Sequence, residues 1–433
     1  MKKCYFGRFS NRTGGGFPKF LVIVFLIILG WTINVSQANK LFLNDTHPDE
    51  PIWTAYSYLT FYLFAVERNI YHDFWLIAFP HTGMTPSTGK LIIGAYLYAK
   101  GINAWNPKIF FFRNDRTMEW NKAQGFLPDF ESVRSGRKLI ALFGVGVCFL
   151  VGLIISRISV LAAWIAPVLL FFHPLFSYMS VHVLMDMIAQ FFSCLSFWAF
   201  LRADESCVGG SSNKKTFLFS ILSGVALGMA VGTKMRELLT AFCFFSVVLF
   251  YVIKKLFAFK SKQEIGHPDA VIFLLIGLSS TIFFILTNPG FYSDPLKTFA
   301  LFLILGDFQS DEMRTVFWPK FALWTFSDKA RAIFEVPFKD FGFFNNSFLI
   351  EIPLVVAGIY FLLSKCFFKT TTQARASIPI GIFLFIAFLG NCLWIPLRFE
   401  RYFLPFVFCF LILEALAIGN VINFFLTFKT PDG

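Results

Sequence analysis

Charge is what this chain has least of. Asp, Glu, Lys and Arg make up 15% of its 433 residues, against 56% hydrophobic residues and a mean hydropathy of +0.65. A soluble core could not bury that much apolar surface, which excludes an ordinary globular domain. Paired cysteines are missing too: Cys148, Cys194, Cys243, Cys366, Cys392 and Cys409 fall in apolar runs and no CxxC occurs. That excludes a zinc ribbon, a thioredoxin-type redox site and a disulfide framework. The net charge of +12 comes largely from short loops between apolar runs, as the positive-inside rule expects, which argues against nucleic acid as a partner.

What the chain has is phenylalanine, 62 of them, and apolar runs long enough to cross a bilayer. Runs at 20–35, 139–155, 160–178, 184–201, 216–231, 238–253, 271–287, 348–363, 378–394 and 402–428 predict about ten transmembrane helices. The fold class is therefore an all-α polytopic membrane protein. Lys2, Lys3, Arg8, Arg12 and Lys19 precede the first run and put the N-terminus inside. Alternation from there brings Arg157, Arg202, Lys214, Lys215, Lys254, Lys255, Lys260, Lys262, Lys365, Lys369 and Arg375 inside as well. A cleaved signal peptide ending at Ser36-Gln37-Ala38 is the alternative for the first run, and it leaves the following segment external.

Five segments follow: 1–36, the cytoplasmic N-terminus and first span; 37–137, an external loop; 138–288, a transmembrane core; 289–347, a second external loop; and 348–433, the C-terminal spans. The first loop predicts two interfacial helices, at 52–64 and 91–98, each too short or too amphipathic to span. The second, after Asn288-Pro289-Gly290, is expected to lie as a lid over the same face.

Carboxylates beside a membrane span are the first candidates for chemistry. Asp49 and Glu50 follow Pro48 at a helix start, near His47, where the helix dipole favours negative charge. Capping alone would explain them; so would a base bordering a pocket between span and interfacial helix. Asp186 lies at the outer end of a span with His173 and His182 nearby, and an ionisable group there is a functional candidate. The histidine spacing matches no standard metal-ligand pattern, although a divalent cation stays open. Arg137, Lys234, Arg236, Arg398 and Arg401 are cations on the side where cations are usually depleted, which suggests either a bound phosphate or lipid-headgroup anchoring. One base and several cations would suffice to transfer a group from a lipid phosphate, whose leaving group is already acidic.

An ordered series of motifs accompanies these residues: Asp49-Glu50 after the first span, Thr85-Pro86-Ser87-Thr88-Gly89-Lys90, Arg137 before Ala141-Leu142-Phe143-Gly144, Asp186, the glycine-rich Gly224 to Gly228 with Lys234, and Arg401-Tyr402-Phe403-Leu404-Pro405. In that order the chain resembles the GT-C fold membrane glycosyltransferases of the protein O-mannosyltransferase and aminoarabinose-transferase type. The His-Pro-Pro run usual in that family is replaced by Met84-Thr85-Pro86-Ser87, with His81 upstream. The resemblance implies a GT-C-like bundle and Asp49, with Glu50, as catalytic carboxylates. It also implies donor or substrate contacts from Lys90, Arg137, His182, Asp186, Lys234, Arg236, Arg398 and Arg401. A polyprenyl-phosphate sugar donor, a lipid, glycan or protein acceptor, and membrane lipid would be the partners. The location would be a bacterial plasma membrane or an endoplasmic reticulum membrane, with the active face non-cytoplasmic. A transporter or lipid flippase would need mid-span charges and internal repeats, whereas Glu414 stands nearly alone and no repeat is evident. A non-catalytic scaffold of this fold would tolerate loss of Asp49 and Glu50.

Overall fold

The computed structural model describes residues 30, 32, 47, 49–69, 86–113, 116–208, 213–257, 270–298, 300, 314–315, 319–343, 348–368 and 371–428. The first anticipated span thus lies outside the described residues apart from Gly30 and Thr32, as do His81 and, within the second external loop, residues 299, 301–313, 316–318 and 344–347. The described chain is helical, its one extended pairing being an isolated bridge between Ala322 and Leu397.

Two short helices open it: α1 (Glu50–Phe61), which runs on into a wider turn at Tyr62–Val66, and α2 (Thr88–Ala99). Twelve residues rise about 18 Å, too little to cross about 30 Å of hydrocarbon. They pack on each other at Gly94, where a Cβ would come 2.1 Å from the Ser57 carbonyl oxygen. A short α3 (Met118–Ala123) leads to α4 (Phe130–Ile155), α5 (Val160–Phe172), α6 (Pro174–Val181) and α7 (Met185–Val208). Then come α8 (Asn213–Thr233), α9 (Leu238–Phe257), α10 (Ala270–Leu286), α11 (Gly290–Ser293) and α12 (Phe326–Glu335). The chain closes with α13 (Phe348–Phe368), α14 (Thr371–Trp394) and α15 (Leu404–Phe428).

Among the described residues, five segments are long and apolar enough to cross a membrane: Phe130–Ile155, Lys214–Thr233, Met235–Ile253, Phe348–Cys366 and Leu404–Leu426. The run expected as one span at 160–178 is broken, with α5 and α6 bent by 67°. Pro174 lacks an N–H and pushes the residue before it out of helix, so His173 is extended and its Nδ1 caps Leu175 N–H at 3.2 Å. The run at 184–201 is the central helix α7, buried along nearly its whole length and carrying Asp186, Gln190, Ser193 and Ser196 inside the bundle. Val271–Leu286 and Ser377–Leu393 are shorter apolar helices at the places of two further anticipated spans. Small residues let these helices approach closely: a Cβ at Gly224 would meet the Ile276 carbonyl of α10 at 2.4 Å, and one at Gly358 the Leu413 carbonyl of α15 at 2.1 Å.

Polar groups collect at two ends. Arg157 pairs with Glu205, and Lys365 Nζ donates to the Ile158 carbonyl at 2.9 Å, so Arg157 and Lys365 lie near each other at one end. Arg137 lies twenty residues earlier on the same helix, roughly 30 Å away along its axis. That separation matches the hydrocarbon thickness of a bilayer.

At that second end α1 is fastened to the bundle by one buried ion pair. Arg137 Nε donates to Glu50 Oε1 at 2.9 Å and Nη2 to Oε2 at 2.7 Å, with both side chains fully buried. The same carboxylate accepts the backbone N–H of Val183, between α6 and α7, at 2.7 Å and that of His47 at 3.0 Å. Removing one partner from such a pair strands a buried charge. Arg137→Ala is therefore predicted to lower stability by about 3–5 kcal/mol, read as a fall in melting temperature in detergent, and Glu50→Gln with Arg137→Gln together should recover part of it.

Candidate active site

Eight of the ten anticipated site residues fall into three groups, with Lys90 and Arg398 apart from them. Glu50 and Arg137 form the buried joint just described. Their placement corrects the expectation of a span starting at 139, just after Arg137: α4 begins at Phe130, after Asp129 and with Glu131 in its first turn, so Arg137 sits two turns inside it with no exposed surface. Glu50's oxygens are likewise occupied by donors from three segments.

The second group surrounds Asp49, one residue before Glu50. Its Oδ2 accepts a hydrogen bond from Arg401 Nη1, and the two side chains keep 26% and 24% exposure. Its backbone N–H donates to His47 Nδ1 at 3.1 Å, so that imidazole is neutral at Nδ1 and carries its proton on Nε2. Burial lowers the His47 pKa, with the Arg401 charge acting the same way and Asp49 against it. The His47 ring lies 6.4 Å from that of His182 and 6.5 Å from that of Tyr178. His182 donates from Nδ1 to the Tyr178 carbonyl at 2.7 Å, and the two rings sit 4.1 Å apart. The bend at His173 is what turns α6 so that Tyr178 and His182 reach this place.

The third group is centred on Asp186. Lys234 Nζ donates to its Oδ1 at 2.5 Å and Arg236 Nη2 reaches the same oxygen at 3.5 Å. Lys234 occupies the break between α8 and α9 with 27% of its side chain exposed. Burial brings its ammonium down to about 8, against the opposing pull of Asp186. Arg401 ties the second and third groups together, since its charge acts on Asp49, Asp186 and Lys234.

Lys90 stands in the first turn of α2, almost fully buried, with Nζ 5.9 Å from the centre of the Trp53 ring. Burial pulls it down to about 7. A Cβ on the preceding Gly89 would meet Met185 Sδ at 2.6 Å and Thr233 Cγ2 at 2.7 Å. The first turn of α2 thus abuts the residues that flank Asp186 and Lys234. The α2 start is pinned there by Asn288 Oδ1, which accepts Ser87 N–H at 2.7 Å, and by a Thr88–Thr287 hydroxyl contact of 2.6 Å.

Arg398 does not join the cluster. It pairs with Glu335 at 2.9 Å and Asp340 at 3.1 Å, and its N–H donates to the Phe321 carbonyl at 2.8 Å. It stitches the second loop to the strand-like segment that leads to Arg401. Three contributors went unnoticed in the sequence: Tyr178, Ser193 and Glu237. Ser193 lies seven residues after Asp186 on one face of α7, and Glu237 directly follows Arg236, which are the signals that could have found them. Among the described residues no three His, Cys, Asp or Glu side chains converge to hold a metal ion. A cation at Asp49 would have to share the carboxylate with Arg401.

Comparison with known proteins adds a family similarity and a fold. The family of dolichyl-phosphate-mannose-protein mannosyltransferases matches residues 85–293. No curated protein sequence matches. Among solved structures, the chain is similar to the oligosaccharyltransferase of Archaeoglobus fulgidus (TM-score 0.56, 13% identity, covering 96% of this chain and 52% of that one). It is also similar to ArnT from Cupriavidus metallidurans bound to undecaprenyl phosphate (0.54, 13%, 93% and 60%). A third is archaeal AglB from Archaeoglobus fulgidus with an inhibitory peptide and a dolichol-phosphate (0.52, 14%, 95% and 51%). The chain thus spans between half and two thirds of the length of these structures. It shares the fold of these structures, that of the polytopic GT-C membrane proteins, and its stretch from 85 to 293 is similar to the mannosyltransferase family.

Proposed function

We propose that the chain is a membrane glycosyltransferase that moves one monosaccharide from a polyprenyl-phosphate-linked donor to an acceptor hydroxyl on the non-cytoplasmic face. The observation that carries this reading is the gathering of a partly exposed carboxylate, Asp49, with Lys234, Arg236 and Arg401 at one polar end of the bundle, beside the Lys90 turn. Two proteins of the same fold are named with undecaprenyl phosphate and dolichol-phosphate, which supports a lipid phosphate as the group the cations meet.

In this reading Asp49 takes the proton of the acceptor hydroxyl through Oδ1, while Arg401 on Oδ2 and His47 on its N–H fix its orientation. The acceptor oxygen forms a bond to C1 of the sugar. The bond from C1 to the phosphate oxygen breaks, and its electron pair leaves on the polyprenyl phosphate. Lys234, Arg401 and Lys90 neutralise the charge that develops there, in surroundings dry enough to strengthen each contact. Glu50 and Arg137 hold Asp49 in register without touching the reactants. Asp186 keeps Lys234 charged and aimed.

Transfer of labelled sugar from polyprenyl-phosphate donors tests this in membranes with matched expression. Asp49→Asn is expected to lose about 10²–10⁴-fold in rate while melting like the parent; equal transfer by both would remove Asp49 from the chemistry. Lys90 supplies a pH dependence. Its value is lowered, so it is charged below about 7 and neutral above, and a phosphate binds the charged form. Donor affinity is therefore expected to fall as pH rises through 7, and Lys90→Gln to show weaker, flatter binding between pH 6 and 8.

A further inference from the structure

Next to the Asp186 cluster the bundle carries further buried polar groups that the reaction above does not use. Glu237, at the turn into α9, is nearly buried. Its Oε2 accepts a hydrogen bond from Ser193 Oγ at 2.6 Å, and Thr240 Oγ1 lies 3.2 Å from that hydroxyl. Its Oε1 stands 3.5 Å from Arg236 Nη2, the same nitrogen that stands 3.5 Å from Asp186 Oδ1. The guanidinium is thus suspended between two carboxylates at equal and long distances, one of them anchored by α7.

The other end of the guanidinium is looser still. Arg236 Nη1 is buried without a hydrogen-bond partner. Arg236 also lines a cavity of about 30 Å³, together with Gln190, Glu237, Thr240 and Asn391 among others. That space admits one or two waters and leaves the group free to shift. A buried guanidinium with two weak contacts and room behind it goes where the carboxylates send it. Without Glu237 the carboxylate left to Arg236 is Asp186, and Asp186 Oδ1 is the oxygen that holds Lys234.

We infer that Glu237, anchored by Ser193, is a positioning residue that holds Arg236 back from Asp186 and so keeps Asp186 engaged with Lys234 at the donor phosphate. The inference rests on the proposed function and extends it to residues that touch no reactant. It assigns the chain a three-carboxylate, three-cation arrangement in which Arg401 pairs with Asp49, Lys234 with Asp186, and Arg236 lies between Asp186 and Glu237. The groups facing Lys234 are Asp186 from α7, Arg236 from its own turn and Arg401 from the segment before α15. If Arg236 closes on Asp186, Lys234 loses its raising partner to a competitor and gives up its proton more readily.

Binding of undecaprenyl phosphate to the full chain in detergent, titrated from pH 6 to 9.5, reads this out without requiring the sugar. Wild type must bind for the proposed function to stand, and failure at that step removes that reading and this one together. Given binding by wild type, Glu237→Gln keeps an acceptor for Ser193 but loses the charge. It is expected to weaken binding about tenfold at pH 8 and to move the alkaline fall-off to lower pH, with melting temperature preserved. Ser193→Ala should act in the same direction and less, and Glu237→Asp should restore part of the loss. Unchanged affinity and pH profile in a folded Glu237→Gln protein would overturn the inference. So would a drop in stability with the pH profile of the remaining binding unmoved, because that is the signature of packing alone.

Discussion

The site depends on the buried pair between Glu50 and Arg137. A bidentate carboxylate–guanidinium contact, fully removed from water, is costly to desolvate and is tolerable only when every remaining acceptor is used. Here the carboxylate is used completely: α4 supplies the guanidinium, the α6–α7 junction the Val183 N–H, and the chain before α1 the His47 N–H. One side chain thereby sets the position of three segments. Since α1 is too short to be held by the bilayer, that joint is what gives Asp49 a fixed address.

Adjacent carboxylates consequently do different work. Successive residues at a helix start point about 100° apart, so Glu50 can face inward to the bundle while Asp49 faces the partly open side where Arg401 waits. The same logic separates the cations. Arg137 is spent on structure and Arg398 on the second loop, leaving Lys234, Arg236 and Arg401 around the two acids that remain. The segments that meet here are distant in sequence, and each arrives by a local device: the proline break at His173, the glycine contact at Gly89, and the interruption between α8 and α9 at Lys234.

Much of this was legible in the residues. Hydropathy located helices at every anticipated span among the described residues, and Asp49, Asp186, Lys234 and Arg401 were singled out as charges at membrane boundaries. Their partners were not. That Arg137 answers to Glu50 across 87 residues is a fact of packing, and an arginine at a span end looks the same in sequence whether it meets a phosphate or a carboxylate. The run 160–178 read as one helix because hydropathy is blind to direction, although Pro174 was the available sign of a break. Glu237 and Ser193 carried only faint signals for a related reason: a Glu beside an Arg reads as a solvated turn until burial shows otherwise.

The central claim is that donor phosphate is met by the Lys234 and Arg401 side of the cluster while the Glu50–Arg137 pair stays closed. The most direct measurement is an experimental structure of the chain with a polyprenyl phosphate bound. The account predicts phosphate oxygens within hydrogen-bonding reach of Lys234 and Arg401, with both Arg137 contacts to Glu50 intact. Phosphate held by Arg137, with Glu50 released from it, would contradict the account.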